Sequence, residues 1–287
     1  VKKLEFETLL FEERADGIAI ITLNRPDKLN AINIQMIQDF NAAMDYLSRA
    51  FDTRVVILIG ADRPDGTPIF SAGLDLKEAA SLDQKTIPET APDWLRFPDI
   101  SKKFFQFQKE LTNTIRKARA IPQPIIAAIR GAAVGWGFAI CCASDIRIAG
   151  RSTKFINAFI KIGAGGADCG VSYFLPRLIG MSRATDIIMT GRDVLADEME
   201  QCGFLAKLVD DEKVMDEAMA IANSLMEKSP LGLRLTKEAL VYNADAPSLE
   251  AALALEDRNQ NIATQAKDSK EGAYAFFEKR PAKYGKR

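Results

Sequence analysis

Pro124-Ile-Ile-Ala-Ala-Ile129, followed by Arg130-Gly-Ala-Ala-Val-Gly-Trp-Gly137 and then Phe138-Ala-Ile-Cys-Cys-Ala-Ser144, carries the most structural information in the chain. The unbroken apolar run Pro124–Ile129, closed by Arg130 and Gly131, predicts a buried strand. Gly131–Gly137 predicts a glycine-rich turn, and Phe138–Ser144 the opening of a helix. A strand, a turn and a helix start at this spacing aim backbone N–H groups of the turn at whatever lies beyond the strand end.

The surroundings repeat this layout. Downstream, Ile146–Ala149 and Lys154–Ile156 read as short strands, and upstream Phe104–Arg119 has helical periodicity. Nearer the N-terminus, Ile18–Leu23 predicts a strand ended by the turn Asn24-Arg-Pro-Asp27. Ile32–Phe51 places Ile37, Phe40, Met44 and Leu47 at three- and four-residue spacing, an amphipathic helix, and Val55–Gly60 is a second buried-strand run. Alternating strands and helices predict an α/β layered fold. After Met181 the pattern is almost wholly helical, through Ala184–Met189, Asp197–Cys202, Glu212–Glu227, Leu231–Tyr242 and Leu249–Lys267. Between Ala79 and Ser101, with Pro88, Pro92 and Pro98, periodicity is lost, as expected of a lid, a pocket wall or a mobile loop.

Composition narrows the chemistry. The 287 residues contain no histidine, which removes Ser-His-Asp and Cys-His catalysis and imidazole proton shuttles. Acid–base work falls to Asp, Glu, Tyr, Lys, Cys or water. With 38 Lys plus Arg against 39 Asp plus Glu, the net charge of −1 offers no overall attraction to nucleic acid or an anionic membrane, so neither is an expected partner. Cys141, Cys142, Cys169 and Cys202 form no C-x-x-C pair and read as small apolar residues in a reducing compartment; no metal site is predicted. The first twenty residues lack an apolar h-region and the longest apolar stretch is interrupted, so a cytoplasmic location is expected, or a mitochondrial or peroxisomal one in a eukaryote.

A second turn of the same kind is Phe70-Ser-Ala-Gly-Leu-Asp-Leu-Lys-Glu78. Each turn can be a tight reversal that needs glycine, or a pair of N–H donors forming an oxyanion hole. Four blocks taken together resemble the crotonase, or enoyl-CoA hydratase/isomerase, superfamily: Leu23-Asn-Arg-Pro-Asp-Lys-Leu-Asn-Ala-Ile32, the Phe70–Glu78 block, Pro124–Phe138, and Ser144-Asp-Ile-Arg-Ile-Ala149. Further matches are Gly166-Ala-Asp-Cys-Gly-Val-Ser-Tyr173 continuing to Gly180, Met189-Thr-Gly-Arg192, and the segment ending Phe276-Phe-Glu-Lys-Arg280.

The resemblance implies a crotonase-like spiral of ββα repeats over residues 1–200 with a helical C-terminal region, 201–287, used for trimerisation. It implies a homotrimer or hexamer acting on an acyl-CoA thioester, with no cofactor besides the coenzyme A of the substrate. Its oxyanion-hole amides fall on Leu74 and Trp136. An acyl pocket lined by Ala72, Phe138, Phe159 and the Trp136 ring is expected. Arg25, Lys28 and Lys77 match basic positions near the nucleotide end, and Lys279 with Arg280 matches the tail cations.

One departure matters. The two glutamates used by hydratases align with Ala139 and Phe159, neither of which can move a proton. The loop around Asp168 resembles that of dienoyl-CoA isomerases, where the acid is a base, and of the chlorobenzoyl-CoA dehalogenase, where it is a nucleophile. Asp168 is therefore the expected acid–base group, with capping of the helix near Gly170 as its structural alternative. Tyr173 is expected either to supply a hydroxyl or to pack. Asp75 and Glu78 suit the start of a helix, and Cys169 has no neighbour that would activate its thiol. Isomerisation of an unsaturated acyl-CoA is the favoured reaction. The alternatives are hydration or another lyase reaction, thioester hydrolysis or dehalogenation with Asp168 as nucleophile, and an inactive acyl-CoA-binding homologue.

Overall fold

The computed structural model describes residues 4–80 and 99–284. A six-stranded sheet has the order β1 (Leu9–Glu13), β2 (Ile18–Leu23), β3 (Val55–Gly60), β5 (Ile125–Ile129), β7 (Ile146–Gly150), β10 (Lys207–Val209). A smaller sheet has the order β4 (Ile69–Ser71), β6 (Ala132–Val134), β8 (Lys154–Ile156), β9 (Asp193–Leu195). β1 and β2 both lie in the large sheet, but from β3 to β8 each turn of the chain lays one strand in the large sheet, the next in the small one, and then a helix. β3 and β4 lead to α2 (Leu76–Ala80) and α3 (Ile100–Ala120), and β5 and β6 lead to α4 (Trp136–Ala143). This is the spiral of ββα repeats, with parallel pairing of β3, β5 and β7 and of β4, β6 and β8.

The central strands are apolar throughout because both faces are covered. In β3, Val56 and Leu58 join the cluster that holds Phe40 and Met44 of α1 (Ile34–Arg49). Val55 and Ile57 point the other way, towards Val214, Ala218 and Ala222 of α8 (Val214–Met226). β10 and α8 thus extend the sheet layer beyond residue 200. The helical reading after Met181 misses β9 and β10, which are three residues each and too short to show a period. Likewise β6 lies inside the predicted turn 131–137, and α4 begins at Trp136, not Phe138.

The remaining helices are α5 (Val171–Ile179), α6 (Met181–Thr190), α7 (Ala196–Gln201), α9 (Pro230–Asn243), α10 (Leu249–Gln265) and α11 (Lys267–Phe277). α9 is tied to the core by Lys237, whose buried Nζ donates to the Gln123 carbonyl at 2.7 Å and pairs with Asp145 at 2.8 Å. Asp145 also takes Arg119 at 3.0 Å and the Ile125 N–H at 2.8 Å. Among the described residues no helix is long and apolar enough to cross a membrane. Most of the Pro-containing stretch 79–101 expected as a lid or wall falls outside the described residues.

Candidate active site

Because β4 and β6 are parallel neighbours, with Ile69 opposite Ala132 and Ser71 opposite Ala133, the turns that follow them emerge side by side. Gly73 (φ +84°) lies against the second turn, where a Cβ would come within 2.8 Å of the Val134 carbonyl oxygen. Only glycine allows both that conformation and that approach. The next residue along each turn is an expected oxyanion donor: Leu74 after Gly73, Trp136 after Gly135.

The first turn is clamped from one side. Ile32 donates to the Gly73 carbonyl at 2.7 Å and accepts from the Asp75 N–H at 2.9 Å, a parallel bridge that leaves the Leu74 N–H outside it. The Ala72 N–H is spent on the Leu29 carbonyl at 2.9 Å. Trp136 is the first residue of α4, with Gly135 as N-cap, so its N–H has no partner within the helix. Two amides freed by geometry, on adjacent turns, suit a carbonyl oxygen that gains negative charge.

The Leu23–Ile32 block builds this clamp. Asn30, wholly buried, donates to the carbonyls of Ala61 at 2.8 Å and Ile69 at 3.1 Å. Arg25 donates to the Ala31 carbonyl at 2.5 Å and pairs with Asp75 at 3.0 Å. Arg25, expected at the nucleotide end of the ligand, is therefore occupied as a strut. Burial pushes the Asp75 carboxyl up, but Arg25, the Glu78 N–H and Lys28 outweigh it, and its pKa lies below the ordinary value. Glu78 accepts from Asn33 and from the Ile34 N–H, closing the start of α1. Asp75 and Glu78 are structural, as their helix-start positions suggest.

Other expected residues are redistributed. The Trp136 ring does not line a pocket: it is wholly buried, edge-on to Phe40 at 5.6 Å, with its indole N–H donating to Thr114 Oγ1 at 2.9 Å. Phe138 is also removed from the site, packed in the core on Phe155 and Phe204, each with ring centroids 5.7 Å away. All eight residues of α4 are buried, so no face of this helix is free to present side chains to a ligand. Tyr173 is committed to Asp245, to which its hydroxyl donates, with Arg177 stacked 3.8 Å from its ring centroid. Phe159 stays at the site, its ring edge 3.6 Å from where a Cβ on Gly135 would lie, and Ala139 is sealed in α4. Lys28, Lys77 and Lys279 are exposed at the surface, whereas Arg280 is held by Glu271 at 2.6 Å.

Asp168 is half-buried, and its Oδ1 accepts from its neighbour Cys169 N–H at 2.6 Å and from Gln108 Nε2 at 2.5 Å. It does not cap α5, whose N-cap is Gly170 and carries no side-chain hydrogen bond. The loop holding it is fastened by Asn157, which donates to the Gly166 carbonyl at 2.9 Å and the Ile188 carbonyl at 3.3 Å. Cys169, strained at φ +48°, is buried, and burial beside Asp168 pushes its thiol well above the ordinary range, so it is inert.

A cavity of about 660 Å³ is lined by Leu74, Ala79, Ser101, Phe104, Phe105, Phe107 and Gln108, and so reaches the first turn and the partner of Asp168. One wall is the turn bearing Leu74; the other is the stripe of α3 whose Gln108 holds Asp168. Nothing in the sequence marks Gln108, since its partner lies 60 residues away.

The ββα spiral with its two paired glycine turns is the crotonase fold. The family model for enoyl-CoA hydratase/isomerase matches residues 13–287, and the chain belongs to that family, whose members act on acyl-CoA thioesters. It is 37% identical over 252 residues to "Probable enoyl-CoA hydratase EchA12" of Mycobacterium tuberculosis, covering 88% of this chain and 83% of that one. It is 32% identical over 268 residues to the 1,2-epoxyphenylacetyl-CoA isomerase of Escherichia coli, covering 93% and 95%. The crystal structure of enoyl-CoA hydratase from Bacillus anthracis superposes with a TM-score of 0.85 at 29% identity, over 97% of this chain and 99% of that one.

Proposed function

We propose that the enzyme isomerises an unsaturated acyl-CoA, moving a double bond into conjugation with the thioester. The Leu74 and Trp136 N–H groups hold the thioester oxygen. Asp168 takes a proton from the α-carbon, and the electron pair moves onto that oxygen to give a dienolate. The acid then returns the proton to the γ-carbon as the charge flows back. Atoms and electrons balance with no cofactor beyond the substrate's own coenzyme A, and with one carboxyl group.

The observation that carries this reading is the tie between Asp168 and Gln108, a residue lining the cavity that Leu74 also lines, while Ala139 and Phe159 leave no carboxylate where hydratases need two. The aromatic wall of Phe104, Phe105 and Phe107 favours an apolar acyl group. Exposed Leu240, Leu249, Leu253 and Ile262 on the C-terminal helices support assembly as a homotrimer or hexamer.

Asp168→Asn tests the assignment. The variant is expected to bind a CoA ester as before while turnover falls by roughly 10²- to 10⁴-fold. Unchanged turnover removes Asp168 from the reaction.

A further inference from the structure

Asp168 receives two donors on one oxygen. Oδ1 takes the Cys169 N–H at 2.6 Å and Gln108 Nε2 at 2.5 Å, and the buried Cys169 thiol bonds the same carboxylate. From this asymmetry we infer that Gln108 is the positioning residue of the acid–base step: it fixes the carboxylate rotamer so that Oδ2 alone carries the travelling proton. The inference rests on the isomerase reading of Asp168 and adds to it the residue that aims the acid.

The geometry suits the task. α3 is anchored in the core by Phe107, Leu111 and Ile115, at four-residue spacing. Gln108 follows Phe107 directly and continues the stripe Ser101, Phe104, Phe105 that faces the cavity. Its backbone is therefore held by packing while its side chain reaches from the cavity wall to the acid. The Cys169 N–H cannot orient the carboxylate alone, because a residue's own neighbour leaves the plane of the group free to turn. A second donor from another element removes that freedom.

The residue type fits as well. A neutral amide donor supports the carboxylate without placing a fixed positive charge beside it. When Oδ2 is protonated, Oδ1 still accepts from both donors, so the same two bonds serve both halves of the cycle. Lysine or arginine at this position would favour only the ionised half.

Gln108→Met keeps length and removes the donor; Gln108→Glu keeps shape and turns the donor into an acceptor. Each is assayed with a β,γ-unsaturated acyl-CoA beside Asp168→Asn and the double variant Asp168→Asn/Gln108→Met, with circular dichroism confirming the fold. Both single Gln108 variants are expected to lose about 10- to 100-fold in kcat with KM within about threefold, and the double variant to fall no further than Asp168→Asn alone. Undiminished kcat in both folded Gln108 variants, or losses that add fully in the double variant, overturns the role of Gln108. Full activity of Asp168→Asn overturns instead the isomerase reading beneath it.

Discussion

Gly137 lies so close to Ser71 that a Cβ on the glycine would stand 2.8 Å from the serine Cβ and 2.9 Å from its carbonyl oxygen. Through this contact the helix bearing one proposed oxyanion amide is seated directly on the strand that leads to the other. The separation of the two donors is fixed by backbone packing and does not depend on the side chains of Leu74 and Trp136.

Gly137→Ala is accordingly expected to force the two turns apart. Overpacking at such a contact costs about 1–3 kcal/mol, and displacing one oxyanion donor lowers kcat about 10²-fold or more. Thermal unfolding and steady-state kinetics measure both; a variant of full activity would mean the turns tolerate separation.

The Arg25–Asp75 pair gives a pH signature. The Asp75 pKa is held below its unfolded value, which is about 3.9, so its stabilising contribution is complete above that pH and is lost as pH falls through the folded value. Asp75→Asn should therefore lower the urea midpoint at neutral pH, with the gap from the parent protein narrowing below about pH 4. A gap that stays constant into acid would show that the carboxylate charge contributes nothing.

Lys237 anchors α9 through Asp145 and the Gln123 carbonyl, and its burial pushes its pKa down against the pull of Asp145. Lys237→Ala removes the donor to the Gln123 carbonyl and one of three donors to Asp145, which keeps Arg119 and the Ile125 N–H, and is expected to cost about 1–3 kcal/mol. Amide exchange in 230–243 should accelerate more than in β3. Uniform acceleration would mean that α9 and the sheet open as one unit.

Tyr173→Phe breaks only the bond to Asp245, so kcat should stay within about twofold, as for an ordinary surface change. A loss comparable to that of Asp168→Asn would return the hydroxyl to the chemistry.

What the sequence reveals, and what it hides, follows from the range of each interaction. Val55–Gly60 and Ile125–Ile129 are recognisable because strands covered on both faces are apolar at every position. Of the second sheet, β8 is legible, but β4, β6 and β9 are hidden because three residues carry little period, although β4 and β6 align the two glycine turns. Leu74, Trp136 and Asp168 stand out as candidates because local motifs carry them. Phe138 is misassigned to the pocket because α4 is apolar on every side, so its sequence does not say which face meets the core. Gln108 is unmarked because its meaning lies wholly in a contact across 60 positions.

The most direct measurement is the conversion of a β,γ-unsaturated acyl-CoA in water enriched in oxygen-18, followed by absorbance and mass spectrometry. A single acid working beside an oxyanion hole predicts a conjugated enoyl-CoA of unchanged mass, free of the heavy oxygen. A 3-hydroxyacyl-CoA or a free acid carrying oxygen-18, or no conversion of the substrate, would contradict it.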